Sequence, residues 1–145
     1  MDIQYFYENN QHSYKHEIII TSLVNLLERV IELPKTLEVC LYQLDKNVYG
    51  GIDRYVLNRI GINYDISFDM LPVILTHELI HVHQKLTGIL RITNNGTCYW
   101  HGVPYTNKPL ETLSFDEYSK LPWEIDAISK QEKVLISALK LVNTN

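Results

Sequence analysis

The segment PVILTHELIHVHQKLTG, residues 72–88, constrains the fold more than any other part of this 145-residue chain. Its many aliphatic side chains predict a helix that is buried over most of its surface. Three proton-exchanging side chains nevertheless lie within this apolar segment, namely His77, Glu78 and His81. Burying such groups is costly unless they are paired or bound to a metal ion. The segment therefore predicts a core helix that carries a functional site.

The spacing H-E-x-x-H suits a zinc site on a helix. Residues four apart are separated by about 40° around the helix axis, so His77 and His81 project side by side and can bind one Zn²⁺. Glu78 is rotated by about 100° from His77 and can reach a metal-bound water without binding the ion. Zinc lowers the pKa of such a water, and the carboxylate accepts its proton as general base. We therefore predict one Zn²⁺ per chain and Glu78 as a catalytic residue.

A chance occurrence of the motif is the alternative. A chain of this composition would contain H-E-x-x-H by chance roughly 0.02 times. A chance string would usually fall on an exposed segment, whereas this one lies among aliphatic residues. The cost of burying it without a partner favours the metal hypothesis. Structural zinc is disfavoured because closed structural sites prefer cysteine ligands.

Two further polar residues follow the motif on the same helix. His83 lies about 200° from His81 around the axis, so we expect it to be a surface or hydrogen-bonding histidine. Gln84, close to one turn after His81, is expected to stay near the site and hydrogen-bond a ligand.

The third metal ligand must come from elsewhere, because a catalytic zinc usually takes three protein ligands. The longer H-E-x-x-H-x-x-G-x-x-H pattern is excluded, since Gln84 and Thr87 occupy its glycine and last histidine positions. LPWEIDAISK offers Glu124 and Asp126 instead. His101, on a predicted hairpin, is the other candidate.

Helical phase separates the two acidic residues. Asp126 shares a solvated face with Ser129, Lys130, Lys133 and Ser137. Glu124 shares the apolar face, with Ala127, Ile128, Gln131, Leu135, Ala138, Leu139 and Val142. We predict that Glu124 points inward as the third ligand and that Asp126 points outward. The alternative for Glu124 is a first-turn acid that stabilises the start of the helix.

Periodicity and turn residues predict an α+β fold in a single domain, residues 1–145. We expect a helix packed against a short, mainly antiparallel sheet, with helices at the two ends of the chain. The first expected element is a helix over residues 12–33, which Pro34 ends, and strands follow in TLEVCLYQLD and NVYGGIDRYVLNRIGINYDIS. The site helix should then run from an N-cap at Asp69 to Gly88. A hairpin that turns at Asn95-Gly96 and a helix that begins at Pro122 are expected after it.

Composition narrows the range of partners. The net charge of −4 and pI near 5.8 give no basic footprint, so nucleic-acid binding has little support. No stretch reaches the roughly 20 apolar residues of a membrane span. The first residues lack the pattern of a signal peptide, and Cys40 and Cys98 are too few for a disulfide scaffold, so we expect a cytoplasmic protein.

Three motifs together resemble a known family. His77-Glu78-x-x-His81 followed by Glu124 on a later helix resembles the gluzincin type of zincin metallopeptidase. More narrowly, HELIHVHQ, YWHG and LPWEIDA are similar to motifs of small metallopeptidases encoded in bacteriophage genomes. The resemblance covers residues 72–127 and implies a site helix under a small sheet, with a peptide substrate beside an edge strand. Val48–Val56 is our candidate for that strand.

The prediction is a zincin-like metallopeptidase acting on peptide or protein substrates, in a host cytoplasm or a virion if phage-encoded. A group opposite Glu78 should stabilise the oxyanion. Tyr99, His101, Tyr105 and Tyr118 are candidates by type, and we favour Tyr118 or His101. The chain is far shorter than large gluzincins, which keeps two rivals open. One is a metal-containing binding or structural module with little turnover, for example in a virion or its assembly. The other is a hydrolase of non-peptide substrates.

Overall fold

The computed structural model describes residues 1–8, 12–43, 50–52, 56–106 and 112–144. Within them the chain is α+β, as predicted. The strands are β1 Asp2–Tyr7, β2 Thr36–Tyr42, β3 Gly50–Ile52, β4 Arg59–Asn63, β5 Leu90–Ile92, β6 Cys98–Trp100 and β7 Val103–Thr106. The helices are α1 Tyr14–Leu27, α2 Leu71–Leu86, α3 Phe115–Ser119 and α4 Pro122–Lys140, followed by the 3₁₀ turn Leu141–Thr144.

The larger sheet has the strand order β1-β2-β4-β3. Strands β1, β2 and β4 are parallel, and β3 pairs antiparallel with β4 at the edge. We expected a mainly antiparallel sheet, and more of the pairings in this one are parallel. One reason is β1, which was not predicted and which pairs parallel with β2 on the other side of α1 in the sequence. A helix between two neighbouring strands makes a crossover connection, which allows them to run parallel. The smaller sheet, β5-β6-β7, is antiparallel.

Helix α1 begins where expected and ends early. Ser13 caps it by accepting a hydrogen bond from the backbone N–H of His16. The helix ends at Leu27 and continues as turns, well before Pro34, so the predicted extension to residue 33 is wrong. Its buried face packs in the main core.

Helix α2 lies between the larger sheet and α4. One face enters the core through Leu71, Leu75, Leu79 and Val82, against inward residues of the sheet, Leu37, Val39, Leu41, Ile60 and Ile62. The helix starts after Met70 rather than Asp69, with Pro72 in its first turn. Its last helical residue is Leu86 and its C-cap is Thr87, directly before the predicted stop at Gly88, where φ is +80°. Such a φ favours glycine, which has no Cβ.

The smaller sheet supports the start of α4. The turn between β5 and β6 contains Gly96 at φ +85°, as the predicted hairpin at Asn95-Gly96 requires. A second two-residue turn, His101-Gly102, has φ of +50° and +80° and adds β7. Leu90 and Cys98 pack against Trp123 in a small second core, so this sheet fixes the first turn of α4.

Helix α4 runs antiparallel to α2, since Gln131 meets His77 and Trp123 meets Gln84. Its predicted apolar face is only partly buried. Ala127, Leu135 and Ala138 are buried, whereas Ile128, Leu139 and Val142 are 53%, 45% and 56% exposed. The prediction that these last three face the core is wrong, because α2 covers a narrower strip of α4 than the apolar residues occupy. No helix in the described part is long and apolar enough to span a membrane.

Candidate metal centre

The side chains of His77 and His81 on α2 meet that of Glu124 on α4. His77 Nε2 lies 3.0 Å from Glu124 Oε2, and His81 Nε2 lies 2.8 Å from Glu124 Oε1. The two Nε2 atoms are 3.1 Å apart. His81 and Glu124 are buried, while the His77 side chain is 18% exposed. The structure thus brings together the three predicted ligands, with one side open near His77.

The two imidazole nitrogens and the Glu124 carboxylate lie close enough together to hold one zinc ion. Zn–N and Zn–O bonds of about 2.0–2.1 Å place neighbouring ligand atoms about 3.3 Å apart. The two Nε2 atoms are 3.1 Å apart, and His77 and His81 face different oxygens of Glu124, at 3.0 Å and 2.8 Å. One ligand atom from each residue gives a set whose members lie within 4.8 Å of one another, so a small shift of the carboxylate would bring all three to an ion. Imidazole nitrogens and carboxylate oxygens are suitable ligands for zinc. The residues present therefore fit a zinc site with three protein ligands.

The electrostatics of the cluster show that it favours positive charge. Burial alone would raise the pKa of Glu124, but hydrogen bonds from both histidines hold it well below its ordinary value. Burial alone would lower the pKa of His77, yet Glu124 and Glu78 raise it to about 9. The pKa of His81 is also raised against the effect of burial, chiefly by its hydrogen bond with Glu124. Protons on the histidines supply the charge that a bound cation would supply.

Glu78 lies beside the cluster on α2 and is almost fully buried, with 6% exposure. Its Oε2 atom has no hydrogen-bond partner among the described residues. Burial raises its pKa to about 7, and the nearby histidines oppose that rise. A carboxyl group with this pKa can exchange protons near neutral pH. The position and chemistry of Glu78 fit the predicted general base.

Each histidine is held at its second ring nitrogen by a glutamine. His81 Nδ1 lies 2.8 Å from Gln84 Oε1, so the predicted contact of Gln84 with a ligand is present. His77 Nδ1 lies 2.8 Å from Gln131 Oε1. This second contact was not predicted. The available signal was a polar residue, Gln131, two turns after Glu124 on the apolar face of α4.

Asp126 differs from its prediction. Its side chain was expected to point into solvent, but Oδ2 accepts a hydrogen bond from Gln84 Nε2 at 2.9 Å and Oδ1 pairs with Lys130 at 2.8 Å. Burial alone would raise the pKa of Asp126, but the hydrogen bonds from Lys130 and Gln84 lower it. Helical phase placed Asp126 away from the metal ligands correctly. The prediction that Asp126 points into solvent was wrong, because Gln84 extends from α2 to the side of α4 that carries Asp126.

His101 is separate from the three-ligand cluster. It is exposed at the turn between β6 and β7, with its ring edge-to-face against Trp100. Among the described residues, the group that could hold an ion consists of His77, His81 and Glu124.

The other candidate polar residues occupy different surroundings. Tyr118 is half-buried on α3, shortly before the start of α4. Tyr99 lies under the guanidinium of Arg91, and Tyr105 is exposed. His83 makes the expected hydrogen-bonding contact, with Nδ1 2.7 Å from the carbonyl oxygen of Glu32. That Tyr118 or His101 stabilises the oxyanion stays a prediction.

The predicted substrate strand, Val48–Val56, falls partly outside the described residues. Its described portion, Gly50–Ile52, forms β3, the edge of the larger sheet, and lies against α2. An edge strand therefore runs beside the helix that carries the candidate site.

Comparisons of the chain with protein-family models, with curated proteins and with solved structures found no match.

Proposed function

We propose that this protein is a zinc-dependent peptidase, in which His77, His81 and Glu124 hold the metal and Glu78 is the general base. The observation that supports this proposal is the convergence of three ligand atoms beside a buried carboxylate. The unpartnered Oε2 of Glu78 adds to it, because buried polar atoms normally have a partner. A water molecule or a substrate could supply that partner.

The residues of the site divide the chemistry among them. Bound zinc would supply a Lewis acid that polarises the scissile carbonyl and acidifies water. Glu78 accepts the proton of the attacking water and then donates it to the leaving amine. The raised pKa of Glu78, about 7, suits a group that must both take up and release a proton near neutrality. Tyr118 and His101 remain our candidates for stabilising the oxyanion.

A peptide substrate is favoured by the edge strand next to the site. An open strand edge presents backbone N–H and C=O groups that can pair with an extended peptide. Among the described strands Gly50–Ile52 lies at the edge of its sheet, and it lies against α2. A peptide that paired with β3 would lie beside the helix that carries His77, Glu78 and His81. This geometry favours peptides over the non-peptide hydrolase alternative.

The decisive experiment compares zinc content and proteolysis in the wild type and in Glu78→Gln. An unfolded protein substrate is incubated with each zinc-loaded sample, and new peptide termini are identified by mass spectrometry. We expect one zinc per chain in both samples and cleavage by the wild type alone. Glu132→Gln, an exposed glutamate on α4, is the matched control and should cleave normally.

The alternative is a metal-containing binding or structural module, and the same experiment tests it. Zinc in both samples without cleavage of any substrate would support that module. Equal cleavage by wild type and Glu78→Gln would mark the activity as contamination.

We propose a cytoplasmic location, or a virion if the chain is phage-encoded, in keeping with Cys40 and Cys98, which no disulfide joins in the described part of the chain.

A further inference from the structure

The two histidines of the candidate site share one kind of support. In both, the ring nitrogen that faces away from the ligand cluster lies 2.8 Å from the amide oxygen of a glutamine. Gln84 supports His81 from the same helix, and Gln131 supports His77 from α4. Metal-binding histidines generally need a partner at the second nitrogen, which fixes the ring and its tautomer. A carboxylate or a backbone carbonyl would serve the same purpose, so the use of two neutral amides is a feature of this chain.

The orientation of the Gln84 amide follows from its other contacts. Gln84 is 2% exposed, and its Nε2 donates to the carbonyl oxygen of Trp123 at 3.1 Å and to Asp126 Oδ2 at 2.9 Å. Both partners can only accept, because one is a backbone carbonyl and the other a carboxylate. The amide oxygen must therefore face His81. An oxygen at that position requires a proton on His81 Nδ1, which leaves Nε2 as the atom available to a metal.

Gln131 stands in the same relation to His77 with fewer constraints. It is half-buried, and its amide oxygen faces His77 Nδ1. Helix α4 therefore supplies both a ligand, Glu124, and the support for the opposing histidine. The two roles are linked because Glu124 and Gln131 lie two turns apart on one face.

We propose that Gln84 and Gln131 are positioning residues for a metal ion, holding both imidazoles with Nε2 towards it while adding no negative charge. This inference rests on the metal site of the proposed function. The carboxylate that Gln84 contacts, Asp126, is separated from His81 by the neutral amide and is paired with Lys130 at 2.8 Å. With two neutral histidines and Glu124 as ligands, a divalent ion keeps one net positive charge, which favours Lewis-acid chemistry.

Replacement by glutamate should have a different effect at each of the two glutamines. Gln131→Glu keeps an acceptor at His77 Nδ1 and adds negative charge, so it should hold zinc at least as tightly as the wild type. Gln84→Glu would place a carboxylate oxygen against Asp126 and the carbonyl of Trp123, where Gln84 now donates. That replacement should impair folding, so Gln131 is the residue to test first.

The test measures the zinc dissociation constant by competition with a chelator, on full-length chains whose folding is checked by circular dichroism. Gln131→Leu should weaken zinc binding about 10–100-fold, the usual effect of losing such a partner. Gln131→Glu should restore or exceed wild-type affinity. Gln4→Leu, which changes an exposed glutamine on β1, should bind as the wild type does.

A spectroscopic readout separates positioning from a general loss of stability. Nitrogen-15 NMR of the zinc-loaded wild type should show both histidines bound through Nε2, with slowly exchanging Nδ1 protons. In Gln131→Leu only the His77 Nδ1 proton should exchange faster, while that of His81 is unchanged. Equal zinc affinity in Gln131→Leu and the wild type, with the His77 proton still protected, would overturn the inference.

The proposed function and this inference can fail separately. Zinc affinities in the expected order without any cleavage would overturn the peptidase and leave the positioning roles in place. Cleavage that depends on Glu78, with equal zinc affinity in all variants, would overturn the positioning roles alone. A wild-type chain that binds no zinc would overturn both.

Discussion

Glu124 Oε1 lies 2.8 Å from His81 Nε2, although the two residues belong to different helices and are far apart in the sequence. The other oxygen of the same carboxylate lies 3.0 Å from His77 Nε2. A single carboxylate thus spans both histidines of the H-E-x-x-H helix. Its pKa is held well below the ordinary value by the hydrogen bonds of the two histidines against the effect of burial, so it is a permanent anion at the centre of the site.

Glu124→Gln should abolish tight zinc binding. The amide keeps the size of the side chain but removes its charge, and a neutral amide is a much weaker zinc ligand. We expect a loss greater than the 10–100-fold that removal of a ligand's hydrogen-bond partner produces. Elemental analysis and chelator competition measure it, with the exposed Glu132→Gln as control. Full zinc retention in Glu124→Gln would transfer the third-ligand role to another residue.

Zinc binding and pH should be coupled with a definite sign. The pKa of His77, raised to about 9 by Glu124 and Glu78 against the effect of burial, means that the metal-free protein holds a proton there at neutral pH. Zinc must displace that proton, so affinity should increase with pH up to about 9. Calorimetry in buffers of different ionisation enthalpy measures the protons released. No proton release at pH 7 would contradict the raised pKa.

The metal-free protein should show the opposite trend in stability. A histidine with a raised folded pKa contributes stability that is complete below its unfolded value of about 6.5 and is lost as the pH rises through the folded value. For His77 that window extends from about 6.5 to about 9. Thermal unfolding in excess chelator should therefore show a Tm that falls across this range. The zinc-loaded protein, whose histidine ligands are neutral at every pH in this range, serves as the comparison and should not show that fall.

The features that the sequence predicted correctly depend on local patterns. The apolar context of His77 and His81 identified a buried helix, and helical phase alone separated Glu124 from Asp126. The pattern Asn95-Gly96 located a hairpin because those residues suit its turn. Each of these inferences needs only neighbouring residues on one element.

The features that it missed depend on partners from elsewhere in the fold. Strand β1 turns Tyr5 and Tyr7 towards α1, where their hydroxyls bond Thr21 and Glu17. Polar groups at those inward positions obscured the strand until the partners were known. Gln131 likewise has a role only because His77 lies opposite it. Periodicity identifies which face of an element is buried and leaves open which side chain it will meet.

The close approach of α2 and α4 should depend on Ala127. This residue is fully buried one turn after Glu124, where a larger side chain would push the helices apart. Ala127→Leu should destabilise the protein by about 1–3 kcal/mol through overpacking. It should also weaken zinc binding, because Glu124 would move away from the histidines. Urea unfolding and chelator competition measure the two effects, with the exposed Lys133→Leu as control. Loss of stability with unchanged zinc affinity would show that the ligand geometry survives the separation.

Gly61 on β4 should be intolerant of any side chain. A Cβ built there would overlap the ring of Tyr42, which covers this glycine on the face of the sheet opposite the main core. Gly61→Ala should force the Tyr42 ring out of its place and cost about 1–3 kcal/mol, as overpacking usually does. Tyr42→Leu should remove most of that cost, so the two changes together should be less harmful than their sum. Urea unfolding of the four proteins in this cycle measures the coupling. Strictly additive losses would mean that the alanine disturbs β4 for a reason other than contact with Tyr42.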